Sequence, residues 1–418
     1  MMERVCYRTQ EMCDRVTADE DSLNKLHEEE FDVAVVDGIF FMKCLYLIPH
    51  RLQIPWITYT DMVDPILVRV PWMPSFVPSA ISPFSDNMTF FERWKNVLYS
   101  FSFTFILPML IPEPPHGVME KFQRYGHFNS LDELASKSLL WLSPKDDVLD
   151  YAKPMMPNVV NIGGLTVKRS TGELPSDVKS FIDGAKKGVV LMTFGSTASV
   201  IPSHMVEKFS SAFRRLGDYR VIWRLDNEEN VELPDNVMIA QWLPQNDILS
   251  HPSVKLFITH CGNNGQYEAV YHGVPMIGIP IHGDQLYNAK RLDGKGYGLS
   301  MNLHDFTADE LLVNIHKILG DKSYKERVMK ASAIFRSQAQ SPVERAVFWI
   351  EHVCKFGGDH LRSAGNDLPL FSYLMLDVLA FVLIMFHILI YLFYRLFKFV
   401  INKCCRRAKS DDCLKKNE

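Results

Sequence analysis

The chain has 418 residues, 47% of them hydrophobic, which is enough for two domains and more, each with a real core. A formal charge of −4 gives no electrostatic case for a nucleic-acid partner. The eight cysteines are scattered, with no CxxC pair and no Cys/His cluster at metal-ligand spacing. No metal site is therefore expected, and a disulfide is open although no framework is visible.

Residues 1–30, MMERVCYRTQEMCDRVTADEDSLNKLHEEE, are polar and charged and lack the apolar core of a secretory signal peptide. They read as helix and loop leading into a strand, FDVAVVD, over residues 31–37, so the chain is expected to begin inside a domain. Asp37, at that strand's end, faces a cleft as readily as solvent. A strand-end cap is the plainer role for it. Residues 40–52 fit a helix, 55–59 a strand and 70–83 a proline-rich loop. Phe90, Phe91, Trp94, Val97, Leu98, Phe101, Phe105 and Ile106 then follow at helical spacing within residues 88–110. Most are expected in the core; a second reading has some of them lining an apolar pocket or touching a bilayer surface. Glu92, Arg93 and Lys95 interrupt the segment too often for a membrane span. Asn87-Met88-Thr89 is a sequon, whose glycosylation at Asn87 would require lumenal exposure.

Residues 139–142 and 159–162 read as the last strands before a boundary near Gly163, where the polar, turn-rich linker GGLTVKRSTGELPSD begins. From Lys187 strands and helices alternate: a strand over 188–193 ending in FGST, a helix over 202–216, strands over 219–225 and 237–241. That alternation predicts a parallel sheet. Gly195 and Ser196 sit at a strand end, where backbone and hydroxyl can reach a diphosphate.

The stretch 242–288 organises the rest. Residues 254–259 form a buried-strand pattern, His260-Cys261-Gly262-Asn263-Asn264-Gly265 a polar turn, and 266–272 a helix. Unpaired N–H groups and the dipole at a helix N-terminus stabilise a phosphate there, and His260 is placed to donate to it. Glu268 lies one helical turn beyond Asn264, on the same face, where a carboxylate can accept from two vicinal ribose hydroxyls. Trp242 offers a flat face for a base and Gln245 an amide that donates and accepts. A further strand over 275–280 ends near Asp284 and Gln285, suited to sugar hydroxyls.

WLPQ, THCGNNGQYEAVYHGVPMIGIP and GDQLYN, with their spacings, resemble the signature of the UDP-glycosyltransferases, in particular the animal membrane-bound type that includes the UDP-glucuronosyltransferases and their glucosyl relatives. Weaker similarity runs from residue 31 to the chain's end. The resemblance implies an α/β fold of two Rossmann-like domains of GT-B type, the first incomplete here, plus a C-terminal transmembrane helix. Expected divisions are 1–163 for the acceptor side, 164–345 for the UDP-sugar domain, 346–373 for a return helix and juxtamembrane segment, 374–394 for the span and 395–418 for a basic tail. It also implies roles: Trp242 stacking on uracil, Gln245 and Glu268 holding ribose, His260, Asn264, Gly262 and Ser196 at the diphosphate, Asp284 and Gln285 at the sugar. The matching Asp37 would orient a base histidine belonging to a stretch that the sequence does not carry. His27, ten residues upstream in a charged segment, matches nothing in that histidine motif. The implied partners are a UDP-sugar donor and a small lipophilic acceptor, with no cofactor and no metal.

Residues 378–394, VLAFVLIMFHILIYLFY, with 374–376 before them, reach the ~20 residues of a bilayer span. Arg395, Lys398, Lys403, Arg406, Arg407 and Lys409 follow and predict a cytosolic tail with the bulk of the chain lumenal. The terminal KKNE, with Lys415 and Lys416, resembles an endoplasmic-reticulum retrieval signal. Two functions are open: a hexosyltransferase, or a catalytically impaired UDP-sugar-binding membrane protein that associates with or regulates full-length relatives; a homo- or hetero-oligomer with relatives is open as well.

Overall fold

The computed structural model describes residues 11–39, 42–111, 116–195, 201–226 and 233–415. The chain divides into a body, Met1–Arg362, and a C-terminal unit, Ser363–Glu418. Two sheets form the body, and both are wholly parallel. The central strands, Gly188–Thr193 and Val254–Thr259 of the second sheet above all, are apolar runs, as strands covered on both faces require, whereas Ala34–Asp37 and Val237–Ala240 at the sheet ends are partly exposed.

The first sheet contains β1 (Ala34–Asp37), β2 (Trp56–Tyr59), β3 (Trp141–Ser143) and β4 (Val159–Asn161), in that order. β1 is shorter than the predicted 31–37 because its ladder starts where the Ala34 N–H donates to Pro55 O. The predicted helix over 40–52 is a 3-10 turn, Lys43–Tyr46, followed by an α-helix, Leu47–Leu52. Ahead of it residues 11–18 and Glu20–Glu28 are helical, and a Cys13–Cys44 disulfide ties the first of these to the 3-10 turn.

The second sheet contains β5 (Gly188–Thr193), β6 (Tyr219–Arg224), β7 (Val237–Ala240), β8 (Val254–Thr259), β9 (Met276–Gly278) and β10 (Gly298–Ser300). Their order is β10-β9-β8-β5-β6-β7, the doubly wound arrangement in which the chain starts centrally and fills each side in turn. Phe209, Phe213, Trp223 and Phe306 pack one face, and Tyr267 and Phe335 the other. The last helix of the body, Pro342–Phe356, returns to the first sheet, where Ala346 and Val353 are buried with Ile57, Leu142 and Val160.

One segment inverts its expected orientation. The helix Phe90–Phe101 and the π-turn Ser102–Ile106 direct polar Asn96, Ser100 and Thr104 inward. Phe90, Phe91, Trp94, Leu98, Phe101 and Ile106 are exposed, Phe91 by 72%. The cause is local. The Asn96 amide donates to the carbonyls of Pro74 and Val77 and accepts from the Ser79 N–H, so the proline-rich loop takes its missing hydrogen bonds from this helix. The core reading of this stretch is therefore wrong. The sequon's Thr89 caps the same helix in a capping box with Glu92, and Asn87 is exposed just before it.

The C-terminal unit holds one long helix, Leu376–Lys415, whose Leu376–Lys403 portion includes an 18-residue stretch of mean hydropathy 2.5 and is long and apolar enough to cross a membrane. Deleting residues 363–418 should convert a protein that resists alkaline carbonate extraction into one that carbonate releases. Fractionation and immunoblotting would read this, and retention of the truncated chain in the pellet would refute the single anchor.

Candidate active site

β5 and β8 are neighbours, but the chain leaves β5 towards β6 and β8 towards β9. Loops beyond two such strands part, and the crevice between them is where open α/β sheets hold ligands. Thr193 pairs with Thr259, which brings Gly195 and His260 side by side at that crevice. Two glycines make room for the imidazole. A Cβ at Gly195, whose φ is +73°, would lie 2.8 Å from His260 Cε1, and one at Gly262 2.4 Å from Nε2. Cys261 between them takes a left-handed φ of 66° and buries its thiol.

Burial lowers the His260 pKa to about 4, with Asp284 pulling it back up and His282 pushing it further down. The ring is therefore neutral at pH 7 and keeps one N–H to donate. Nδ1 is buried with no hydrogen-bond partner among the described residues, so the ring retains unused polar capacity. The sign of the linkage follows. An unfolded histidine takes its proton near pH 6.5, so between about 6.5 and 4 the unfolded state binds more protons and stability falls as pH falls. For this partly open ring the loss is about 2 kcal/mol. Melting temperatures of wild type and His260→Gln should therefore diverge between neutral pH and about pH 4.5; parallel curves would refute the shift.

The helix Asn263–Tyr271 begins three residues before the predicted start, with Gly262 as its N-cap. GNNG reads as a turn from propensity, but Asn263 is fixed by tertiary bonds: its amide donates to Pro144 O at 2.6 Å and its carbonyl accepts from Arg291. Asn264 is exposed in the first turn, and Glu268 lies one turn deeper, partly buried. Gln245, opening the helix Gln245–Ser250, donates from Nε2 to Glu268 Oε2 at 2.5 Å. Burial raises the Glu268 pKa and the Gln245 bond opposes that rise. Trp242, on the loop between β7 and that helix, is 71% exposed, so it is no core aromatic.

Asp284 precedes the helix Gln285–Lys295 and accepts from Asn288 Nδ2 at 2.6 Å. Gln285 is buried, and its carbonyl accepts the N–H groups of Ile281 and His282, which holds the loop that carries Asp284. Its amide nitrogen has no partner among the described residues. Ser196 lies outside the described residues. In the first sheet Asp37 is exposed, its Oδ1 accepting from the Ile39 N–H at 3.1 Å, and His27 is exposed on the helix Glu20–Glu28.

Several residues of the crevice gave no signal in the sequence. Arg291, wholly buried, donates to Gln266 and Asn263 and lies 4.0 Å from Asp150. Within NAKRLDG it reads as a solvated helix residue. A cavity of about 120 Å³ is lined by the proline-rich loop, the π-turn residues Phe103 and Thr104, Asp61, Lys145 and Tyr287. Of the apolar segment in the second reading, only this inward edge reaches a pocket.

The profile of the family described as "UDP-glucoronosyl and UDP-glucosyl transferase" matches residues 1–411. The chain belongs to this family. It is similar to rat UDP-glucuronosyltransferase 1-2 (34% identity, covering 91% of this chain and 72% of that protein). Human UDP-glucuronosyltransferase 1A1 is 32% identical (94% and 73%) and macaque (Macaca mulatta) UDP-glucuronosyltransferase 2B33 is 35% identical (94% and 73%). Among solved structures, the glycotransferase of kitacinnamycin superposes with a TM-score of 0.58 at 20% identity (83% and 82% covered). A UDP-glucosyltransferase from Polygonum tinctorium capable of glucosylating indoxyl gives 0.58 at 17% (83% and 81%). The fold is that of the GT-B glycosyltransferases, and the chain is a UDP-glycosyltransferase of the animal type.

Proposed function

We propose that this UDP-glycosyltransferase transfers a hexosyl group, glucuronosyl or glucosyl, from a UDP-sugar to a small lipophilic acceptor with inversion. The observation that carries the reading is the Gln245–Glu268 pair one turn below a helix N-terminus at the switch point, with a solvent-facing Trp242 on the adjoining loop. Uracil stacks on Trp242, the ribose hydroxyls donate to Glu268, and the diphosphate meets the Asn264 turn, Gly262, His260 and Ser196. Asp284 and the Gln285 amide take the sugar hydroxyls. The acceptor oxygen attacks the anomeric carbon from the face opposite UDP. Charge developing on the leaving phosphate is met by fixed N–H donors, a stabilisation that often dominates a rate enhancement. Neither a metal nor a cofactor enters this scheme. Asp37 would orient a base histidine, the role that the family resemblance implies for it.

Residues 1–163 serve the acceptor and 164–345 the donor in this scheme, with 346–373 returning to the membrane. The disulfide belongs to an oxidising compartment, which supports a lumenal body, as does the exposed Asn87 sequon. The basic residues after the span support a cytosolic tail, and KKNE, of which Lys416 lies outside the described residues, supports the endoplasmic reticulum. The test is incubation with UDP-glucose or UDP-glucuronate and a phenol. Formation of a β-glycoside by either donor supports transfer; UDP binding without product from any acceptor would sink it.

A second reading rests on β1. Among the described residues it is an edge strand, and an edge ladder can be extended by another chain. A UDP-sugar-binding subunit paired with full-length relatives would bind UDP, give no product alone and co-purify with an active relative.

A further inference from the structure

Lys145 stands in the turn that follows β3, and its main chain is tied on both sides. Its N–H donates to Ser143 O at 2.7 Å, and its carbonyl accepts from the Gly163 N–H at 2.8 Å. Gly163 leaves that turn no slack, since a Cβ there would come within 2.5 Å of the Lys145 carbonyl carbon. Pro144, just before it, accepts the Asn263 amide from across the crevice, and the same amide lies 3.4 Å from Asp61 Oδ1. The lysine is thus carried on a fixed turn, and it is 5% exposed where it lines the cavity with the proline-rich loop and Phe103.

A buried ammonium is costly unless an anion or a set of acceptors meets it. Among the described residues Lys145 Nζ makes no hydrogen bond and no ion pair, and what it has instead is the Tyr287 ring face at 4.6 Å. The other lysine on the cavity wall, Lys153, is paired with Asp150 at 2.8 Å. The charges that act most strongly on Lys145 are those of Asp150, Lys153, Asp61 and Arg291, so with Lys145 itself three cations face two carboxylates. Burial lowers the Lys145 pKa and the two carboxylates oppose the fall. The group is one negative charge short, beside a cavity whose walls are mostly apolar.

Resting on the transferase reading above, we propose that Lys145 binds a carboxylate carried by the acceptor, so that the favoured acceptors are hydroxy acids with a small apolar body. The body lies among Val70, Pro74, Val77 and Phe103, and the acid group supplies the anion that the fold leaves out. A carboxylate on the donor sugar has the same chemistry, but Asp284 and Gln285, to which the sugar is assigned, do not line this cavity. Lys145 makes and breaks no bond in the transfer; it selects the acceptor and orients it.

The experiment compares 6-hydroxy-2-naphthoate with 2-naphthol, the same rings without the acid, and reads the phenolic glycoside formed with each UDP-sugar that the enzyme uses. Wild type should favour the acid. Lys145→Met keeps the apolar stem and removes the charge, and the ratio of kcat/KM, acid over naphthol, should fall by about 10–10²-fold, as for loss of one hydrogen bond to a charged group. The fall should lie in KM rather than kcat, and Lys145→Arg should retain part of the ratio. UDP affinity by calorimetry should stay within about twofold. A ratio within about threefold of wild type overturns the proposal, as does a wild type that prefers naphthol or an equal loss of UDP affinity. Equal losses with both acceptors that appear only with UDP-glucuronate also overturn it, since they give the ammonium to the donor's carboxylate. If wild type binds UDP but transfers to neither acceptor, the function reading fails on its own, and calorimetry with hydroxynaphthoate on the UDP-loaded protein decides about Lys145. A tenfold weaker Kd in Lys145→Met, about 1.4 kcal/mol, keeps the carboxylate contact, and an unchanged Kd removes it.

Discussion

Glu268→Ala should abolish measurable UDP binding. The carboxylate is partly buried one turn below the helix N-terminus and already accepts from Gln245 Nε2. In the proposed pose it also accepts from two ribose hydroxyls. A hydrogen bond to a charged group contributes about 1.5–3 kcal/mol, and truncation leaves those hydroxyls and the Gln245 amide without an acceptor. Two lost bonds correspond to roughly 10²–10⁴-fold in Kd. Trp242→Ala, which removes only a stacking face, should weaken binding less, by about tenfold or more. Glu268→Gln keeps the volume and one acceptor and should fall between. Because burial raises the Glu268 pKa, wild-type affinity should also decline as pH falls through that raised value, and the alanine variant should lack this dependence. Calorimetry with UDP reads all of these, and unchanged affinity in the alanine variant would refute the ribose assignment.

Legibility followed the range of the interactions. Five of the second sheet's six strands could be read because a doubly wound sheet writes each buried strand as a continuous apolar run, and residues 188–193 and 254–259 were placed without error; the short edge strand Gly298–Ser300 was not read. His260, Asn264 and Glu268 could be grouped because they share one strand–turn–helix, where spacing along the chain is distance in space. Two misreadings have the opposite origin. The apolar face of residues 90–106 has core spacing, but which face turns inward was settled by the carbonyls of Pro74 and Val77, about twenty residues away. The helix at Asn263 starts early because Pro144 O, 119 positions upstream, takes its side-chain N–H. Polar contacts between the two halves of the body leave no periodic trace in either half.

Arg291→Ala should destabilise the body more than any truncation of an exposed charge. The guanidinium is wholly buried, donating from Nε to Gln266 Oε1 at 3.0 Å and from Nη2 to Asn263 Oδ1 at 2.6 Å, with Asp150 at 4.0 Å. Asp150 comes from the segment between β3 and β4 and also accepts from Lys153 and from the Tyr287 hydroxyl. Positive neighbours keep its carboxyl ionised despite burial. Removing the arginine leaves Asn263 and Gln266 with unmet acceptors and Asp150 with Lys153 and Lys145 to balance it. Breaking a buried pair of this kind costs about 3–5 kcal/mol, and the retained lysines place the expected value near the lower end, about 3 kcal/mol. Arg291→Lys should recover little, since one ammonium cannot serve the amide oxygens of both Gln266 and Asn263 as a planar fork does. Denaturant melts of the detergent-solubilised chain measure the loss. Because Asn263 also carries the contact to Asp61, the same variant should weaken the coupling between the halves and lower the rate of transfer at saturating UDP-sugar. A variant with wild-type stability would show that Arg291 fills space without tying the halves together.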